Sequence, residues 1–187
     1  MPSLRCFIAL PTADEVKTRI TELQSKLKES SADVKWDSPD KFHITLKFLG
    51  NSEQSVIDSL SARLELLPQN VSYIRALFNS VGAFPSLQRP KVIWVGIEHT
   101  EELRKLQSDV ESLCAELGFK REEREFHPHI TLGRVKGNRN LDRLTDMLKS
   151  LTLDPIQARC SEILLIRSDL KPSGSVYTIL KSFPFHA

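Results

Sequence analysis

Cysteine is scarce in this chain of 187 residues: Cys6, Cys114 and Cys160 are odd in number and far apart. They can build neither a disulfide framework nor a zinc ribbon, and they point to a reducing compartment. Long hydrophobic runs are missing, so no segment approaches the roughly 20 apolar residues of a membrane span. The run Cys6–Pro11 that follows Arg5 is too short for the apolar core of a signal peptide. Only seven glycines occur, and none falls in a Walker or Rossmann phosphate-binding pattern. There is no G-x-S-x-G nucleophile elbow and no H-E-x-x-H pair. A formal net charge of +2 is too small to argue for wrapping a long duplex, though it suits a phosphate-bearing ligand. Apolar residues make up 40%, charged residues 27%, and no low-complexity linker divides the chain. The expectation is one two-lobed domain over residues 1–187, cytoplasmic, monomeric and away from membranes.

What the chain does contain is a repeat. The tetrapeptide HITL occurs at His43–Leu46 and again at His129–Leu132, using two of only five histidines. The offset of 86 residues also carries Ile20 onto Leu106, Leu27 onto Leu113 and Phe7 onto Ile93. In each half an apolar strand, RCFIALP and then KVIWVGI, leads to an amphipathic helix. The first helix runs over about 14–28, with Val16, Ile20, Leu23 and Leu27 on one face. The second, capped by Thr100, carries Leu103, Leu106, Val110, Leu113 and Leu117 and closes at Gly118. Each half continues with a polar connector, the HITL strand and another helix. That last helix is opened by Ser52 and stopped before Pro68 in the first half, and opened by Asn138 in the second. VSYIRALFNSVGAFP adds a strand between the halves, and SEILLIRSDL with GSVYTILKSF reads as a closing hairpin. The fold expected is α+β, two similar lobes tied together by shared strands.

Alternation along an extended strand puts His43 with Thr45 on one face and Ile44, Leu46 and Phe48 on the other. The second copy sets His129 with Thr131 against Ile130 and Leu132. If an approximate two-fold axis relates the lobes, the polar faces meet across a cleft, imidazoles opposed and hydroxyls between them. Such a pocket suits in-line displacement at phosphorus, which needs a base on one side and an acid on the other. Imidazole, with an ordinary pKa of about 6.5, serves either role. The threonine hydroxyls can donate to the non-bridging oxygens. No metal and no cofactor is required. A cyclic phosphodiester fits well, because its ring keeps the leaving oxygen tethered. The rival readings are a pair of structural strand histidines and a metal site of His43, His127 and His129; no paired cysteine, and no acid within either tetrapeptide, supports the metal. By the same alternation Lys47 shares the His43 face, whereas Arg134 points away from His129 unless a bulge at Gly133 re-aims it. Phe42, Phe84, Trp94 and Tyr177 could wall the cleft for a base, with core packing expected for Phe42 and Trp94.

Two H-x-T-x motifs, one per lobe, resemble the two-histidine phosphoesterase superfamily. More narrowly, LRCFIALP, WDSPDKFHITLKFLG, FPSLQRPKVIWVGI, FHPHITLGRVK and SDLKPSGSVYTIL occur in this order from about residue 4 to residue 183. They resemble the bacterial and archaeal RNA 2′,3′-cyclic phosphodiesterases, also called 2′-5′ RNA ligases. The resemblance implies a bilobal α+β fold whose antiparallel sheets flank a central cleft, with helices outside. It implies that His43 is the proton donor, that His129 is the acceptor activating water, and that Thr45 and Thr131 hold phosphate. Arg134 stands where that family commonly carries a basic residue. The implied activity is hydrolysis of an RNA 2′,3′-cyclic phosphate end to a 2′-phosphomonoester, with reversible 2′-5′ joining at the same site. The partners expected are RNA ends or small cyclic phosphodiester nucleotides. Two other readings stand beside it: a module that binds RNA ends or nucleotides without turnover, and an enzyme of this fold acting on 2′-5′ oligoadenylate or another small phosphodiester.

Overall fold

Apolar residues three and four apart become helices where predicted, and the apolar runs between them become strands. The computed structural model describes residues 3–67, 71–172 and 174–186. In chain order these form β1 (Ser3–Pro11), α1 (Asp14–Lys28), β2 (Val34–Trp36), a 3₁₀ turn at Pro39–Lys41, β3 (His43–Glu53), α2 (Gln54–Leu64) and β4 (Ile74–Phe84). The remainder comprises β5 (Val92–Ile97), α3 (Glu101–Glu116), β6 (His129–Val135), α4 (Leu141–Ser150), β7 (Ile156–Cys160), β8 (Glu162–Lys171) and β9 (Gly174–Pro184). Thr100 caps α3 as expected, its Oγ1 accepting the Leu103 amide at 3.2 Å. Ser52 does not open α2. Strand β3 runs on through Glu53, and the Ser52 hydroxyl turns back to the Leu49 carbonyl at 3.5 Å. Helix α4 begins at Leu141 behind a left-handed Asn140 rather than at Asn138. Pro68 lies outside the described residues.

Two antiparallel sheets result, ordered β3-β1-β8-β9 and β2-β6-β5-β4-β7. The offset that relates the two tetrapeptides also carries β1 onto β5, α1 onto α3, α2 onto α4 and β4 onto β8. The run β3-β1-β8 of the first sheet therefore matches β6-β5-β4 of the second, while β9 and β7, which the offset does not relate, lie next in line in the two sheets. Strand β4 from the first half completes the second sheet, and β8 from the second half completes the first. These exchanged strands are what tie the lobes together. One apolar cluster draws on both sheets and all four helices, with Ile8, Ile20, Leu60, Ile93, Val110 and Leu144 fully buried. Each such side chain contributes on the order of 1.5–3 kcal/mol over an exposed one. The first sheet's other face carries a small separate cluster, Phe7, Ala9, Leu164 and Ile166, with Tyr177 packed against it. That face looks into the cleft.

Candidate active site

Each motif strand is kinked at the same place. In β3, Thr45 pairs with Ala9 while Lys47 pairs with Ile8, leaving Leu46 as an extra residue. In β6, Thr131 pairs with Trp94 while Gly133 pairs with Ile93, leaving Leu132 extra. These are β-bulges, and each reverses the alternation beyond the threonine. The residue after each bulge turns inward. Gly133 is buried there, and a Cβ on it would stand 2.8 Å from Val34 and 2.9 Å from Trp36, so only glycine lets β2 lie over the bend. Arg134 is thereby re-aimed to the side of His129, as a bulge at this glycine would require. Lys47 departs from its expected place. It is 5% exposed and points away from the cleft, donating to Glu111 Oε2 at 2.9 Å and to the Lys120 carbonyl at 2.7 Å. Phe48, expected on the apolar face, is instead 69% exposed and lines the cleft at the position equivalent to Arg134.

His43, Thr45, His129, Thr131 and Arg134 line one cavity of about 440 Å³ between the two sheets. A larger hollow of about 730 Å³, lined by residues such as Tyr73, Arg75 and Arg159, holds neither motif; volume alone does not locate the chemistry. The His43 ring stacks on Phe7 (centroids 4.8 Å apart, 27° between planes) and meets the edge of Tyr177 at 5.2 Å. His129 meets Phe84 edge-on at 5.1 Å, with Trp94 at 6.4 Å. Each imidazole is thus packed by two aromatic rings from its own sheet.

This packing sets the electrostatics. Burial pushes the His43 imidazole down from its ordinary value to about 4. Burial also lowers His129, opposed in part by its hydrogen bond to the His127 carbonyl and reinforced by the charges of His127 and Arg134. That bond, 2.6 Å from His129 Nδ1, settles the tautomer: a carbonyl only accepts, so Nδ1 carries the proton and Nε2 keeps its lone pair. Arg134 Nη1 donates to Asp37 Oδ2 at 2.8 Å, which fixes the guanidinium at the cavity wall.

Of the aromatic residues singled out in the sequence, Phe42 is in the core at 2% exposure, Tyr177 is beside His43, and Phe84 with Trp94 is beside His129. His127 offers the site its carbonyl, while its ring lies 5.8 Å from His99. Among the described residues no three His, Cys, Asp or Glu side chains gather as a metal ion would need. Phe7, Phe48 and Asp37 were not legible as site residues. Phe7 sits in an unbroken apolar run, which hides which face it serves; Asp37 sits in a connector without periodicity.

The profile of the 2′-5′ RNA ligase superfamily matches residues 10–172. The RNA 2′,3′-cyclic phosphodiesterase of Methanothermobacter thermautotrophicus is 31% identical over 181 residues, covering 96% of this chain and 98% of its own. The protein of the same name from Aeropyrum pernix is 34% identical over 164 residues, covering 87% and 92%. Among solved structures, one from Thermus thermophilus superposes with a TM-score of 0.82 at 26% identity, over 97% of this chain and 98% of that one. Escherichia coli LigT complexed with 3′-AMP shares the fold, with a TM-score of 0.76 at 24% identity and full coverage of both chains.

Proposed function

The chain belongs to the 2′-5′ RNA ligase superfamily, and from that premise we propose that it hydrolyses RNA 2′,3′-cyclic phosphate ends to 2′-phosphomonoesters by two-histidine acid–base catalysis. It is a phosphodiesterase, as its relatives named RNA 2′,3′-cyclic phosphodiesterase are. The observation that carries the site assignment is the convergence of both imidazoles, both threonines and Arg134 on one cavity.

His129 Nε2, unprotonated, takes a proton from water as its oxygen attacks phosphorus. The P–O3′ bond breaks on the opposite side, and O3′ takes a proton from His43. Thr45, Thr131 and Arg134 hold the non-bridging oxygens as charge builds on them. The product keeps its phosphate on O2′ and gains a 3′-hydroxyl; His43 is reprotonated and His129 deprotonated by solvent. Because the ribose bears the leaving oxygen, the nucleoside lies on the His43 side, where the exposed ring of Phe48 offers a face to the base. Joining through a 2′-5′ linkage would use the same proton transfers in the same direction, with an RNA 5′-hydroxyl replacing water as the nucleophile that His129 deprotonates, and cleavage of that linkage would run them backwards.

The test is incubation with a 2′,3′-cyclic-phosphate oligoribonucleotide in EDTA, with the phosphate located on the product. A 2′-phosphate formed at an undiminished rate is expected. A 3′-phosphate, or activity lost in EDTA and restored by zinc or manganese, would overturn the reading. The roles of the histidines are tested with a leaving group that needs no proton. On a nitrophenyl phosphodiester that the wild type accepts, His43→Ala should recover much of its lost rate and His129→Ala should not; rescue of His129→Ala alone would reverse the roles.

A further inference from the structure

Charge around the cleft is lopsided. Its lining includes Arg5, Lys35, Lys41, Arg134, Lys136 and Lys171 against one acid, Asp37, in a chain whose net charge is only +2. The cations are also ordered. Lys35 lies directly opposite Arg134 across the β2–β6 ladder. Asp37, two residues further along, is taken up by Arg134. At the start of β9, a Cβ added to Gly174 would stand 2.9 Å from Lys35 Nζ and 3.8 Å from Lys41 Nζ, so both ammonium groups converge on one patch of bare backbone. Gly174 holds φ at +132°, a conformation closed to other residues. It pairs with Lys171 across the β8–β9 turn. Lys41 is half-buried and has no ion pair among the described residues. A row of cations thus leads from Arg134 through Lys35 and Lys41 to the turn at the cleft mouth.

Resting on the phosphodiesterase reading, we infer that Lys35 and Lys41 over Gly174 form a second anion subsite, which holds the phosphodiester on the 5′ side of the terminal nucleotide. The preferred substrate is then an RNA strand rather than a cyclic mononucleotide. Ammonium groups act on phosphate as point charges and read no base, so the subsite adds affinity for strand length without sequence preference. Lys41 stands two residues before His43, on the side of the cleft where the mechanism places the terminal ribose and hence the start of its 5′ phosphodiester.

The experiment compares kcat/KM on 2′,3′-cyclic CMP and on a tetracytidylate ending in 2′,3′-cyclic phosphate. Lys41→Ala should reduce the preference for the tetramer about tenfold, the worth of one charge-assisted contact. Lys41→Glu should reduce it further, and Lys41→Arg should restore it. The salt slope on the tetramer should become shallower by about 0.7 for the lost contact. Replacing that one linkage by a neutral methylphosphonate should cost the wild type the same factor and Lys41→Ala almost nothing more. The inference is overturned if Lys41→Ala loses equally on both substrates, loses on neither, or suffers from the methylphosphonate as much as the wild type does. Turnover of cyclic CMP by the wild type keeps the phosphodiesterase reading intact in each of those cases; failure of the wild type on both substrates would strike that reading instead.

Discussion

An imidazole whose charged form is disfavoured by burial is a poor acid until something negative arrives. His43, lowered from its ordinary 6.5 to about 4 by burial, is neutral at pH 7 in the empty cleft, and His129 is lowered in the same direction. A phosphodiester monoanion set between them favours the protonated form of each. The profile of kcat/KM, which reports the free enzyme, should therefore peak on the acid side of 6.5. That of kcat, which reports the complex, should peak at higher pH, with apparent values belonging to the pair. Coincident bells would mean that substrate does not restore the acid. Stability carries the opposite sign of the same shift. Between about 6.5 and 4 the unfolded state takes up protons that the folded His43 does not. Stability against urea should therefore fall as pH drops through that window, less so in His43→Asn. The threonines act without titrating. Thr45→Val and Thr131→Val remove one donor each from the phosphoryl oxygens, which costs about 3 kcal/mol in the transition state, a hundredfold or more in kcat at unchanged urea midpoint. Wild-type turnover in both would make them ordinary strand residues.

At the level of elements, the tetrapeptides were legible and the residues just beyond them were not. Strict alternation from His43 placed Lys47 in the cleft and Phe48 in the core, and the bulge at Leu46 exchanges the two. Nothing in HITLKFLG marks that bulge, because Leu46 looks like any core leucine. In the second copy Gly133 was a visible cue, and Arg134 could be placed through it. The inward Lys47 has a consequence for stability. Its ion pair with Glu111 leaves the side chains 4% and 11% exposed, and Glu111 also accepts from the Glu122 amide at 3.4 Å. The pair pins the segment leading to His129 against the strand that carries His43. Lys47→Met strands a buried carboxylate and should cost about 3–5 kcal/mol, whereas Lys47→Met with Glu111→Leu should recover most of it. By contrast, Arg63→Ala breaks an exposed pair, 45% and 67% exposed, and should cost less than about 1 kcal/mol. Chemical denaturation of these variants beside the wild type decides; equal losses for Lys47→Met and the double variant would show that packing, not charge, is what the lysine supplies.

For the whole molecule, the repeat, the closing hairpin and a tie of shared strands could be read from the sequence, but that β4 and β8 are the strands exchanged could not. Periodicity reports which face of a strand is buried, and a strand buried in either sheet looks the same. The exchange has a mechanical meaning. Neither sheet is complete without a strand from the other half of the chain, so we propose that the lobes unfold together as one cooperative unit. The two tryptophans make this measurable, since Trp36 in β2 and Trp94 in β5 both belong to the five-stranded sheet. Leu164 lies on β8 in the small cluster with Phe7, Ala9 and Ile166, all from the four-stranded sheet. Leu164→Ala should cost about 2–5 kcal/mol, and none of that loss touches a tryptophan directly. In a cooperative molecule the urea midpoint read by tryptophan fluorescence should shift as far as the midpoint read by far-ultraviolet circular dichroism, with m unchanged. If the lobes melt separately, the fluorescence midpoint stays where it was and the dichroism transition splits in two.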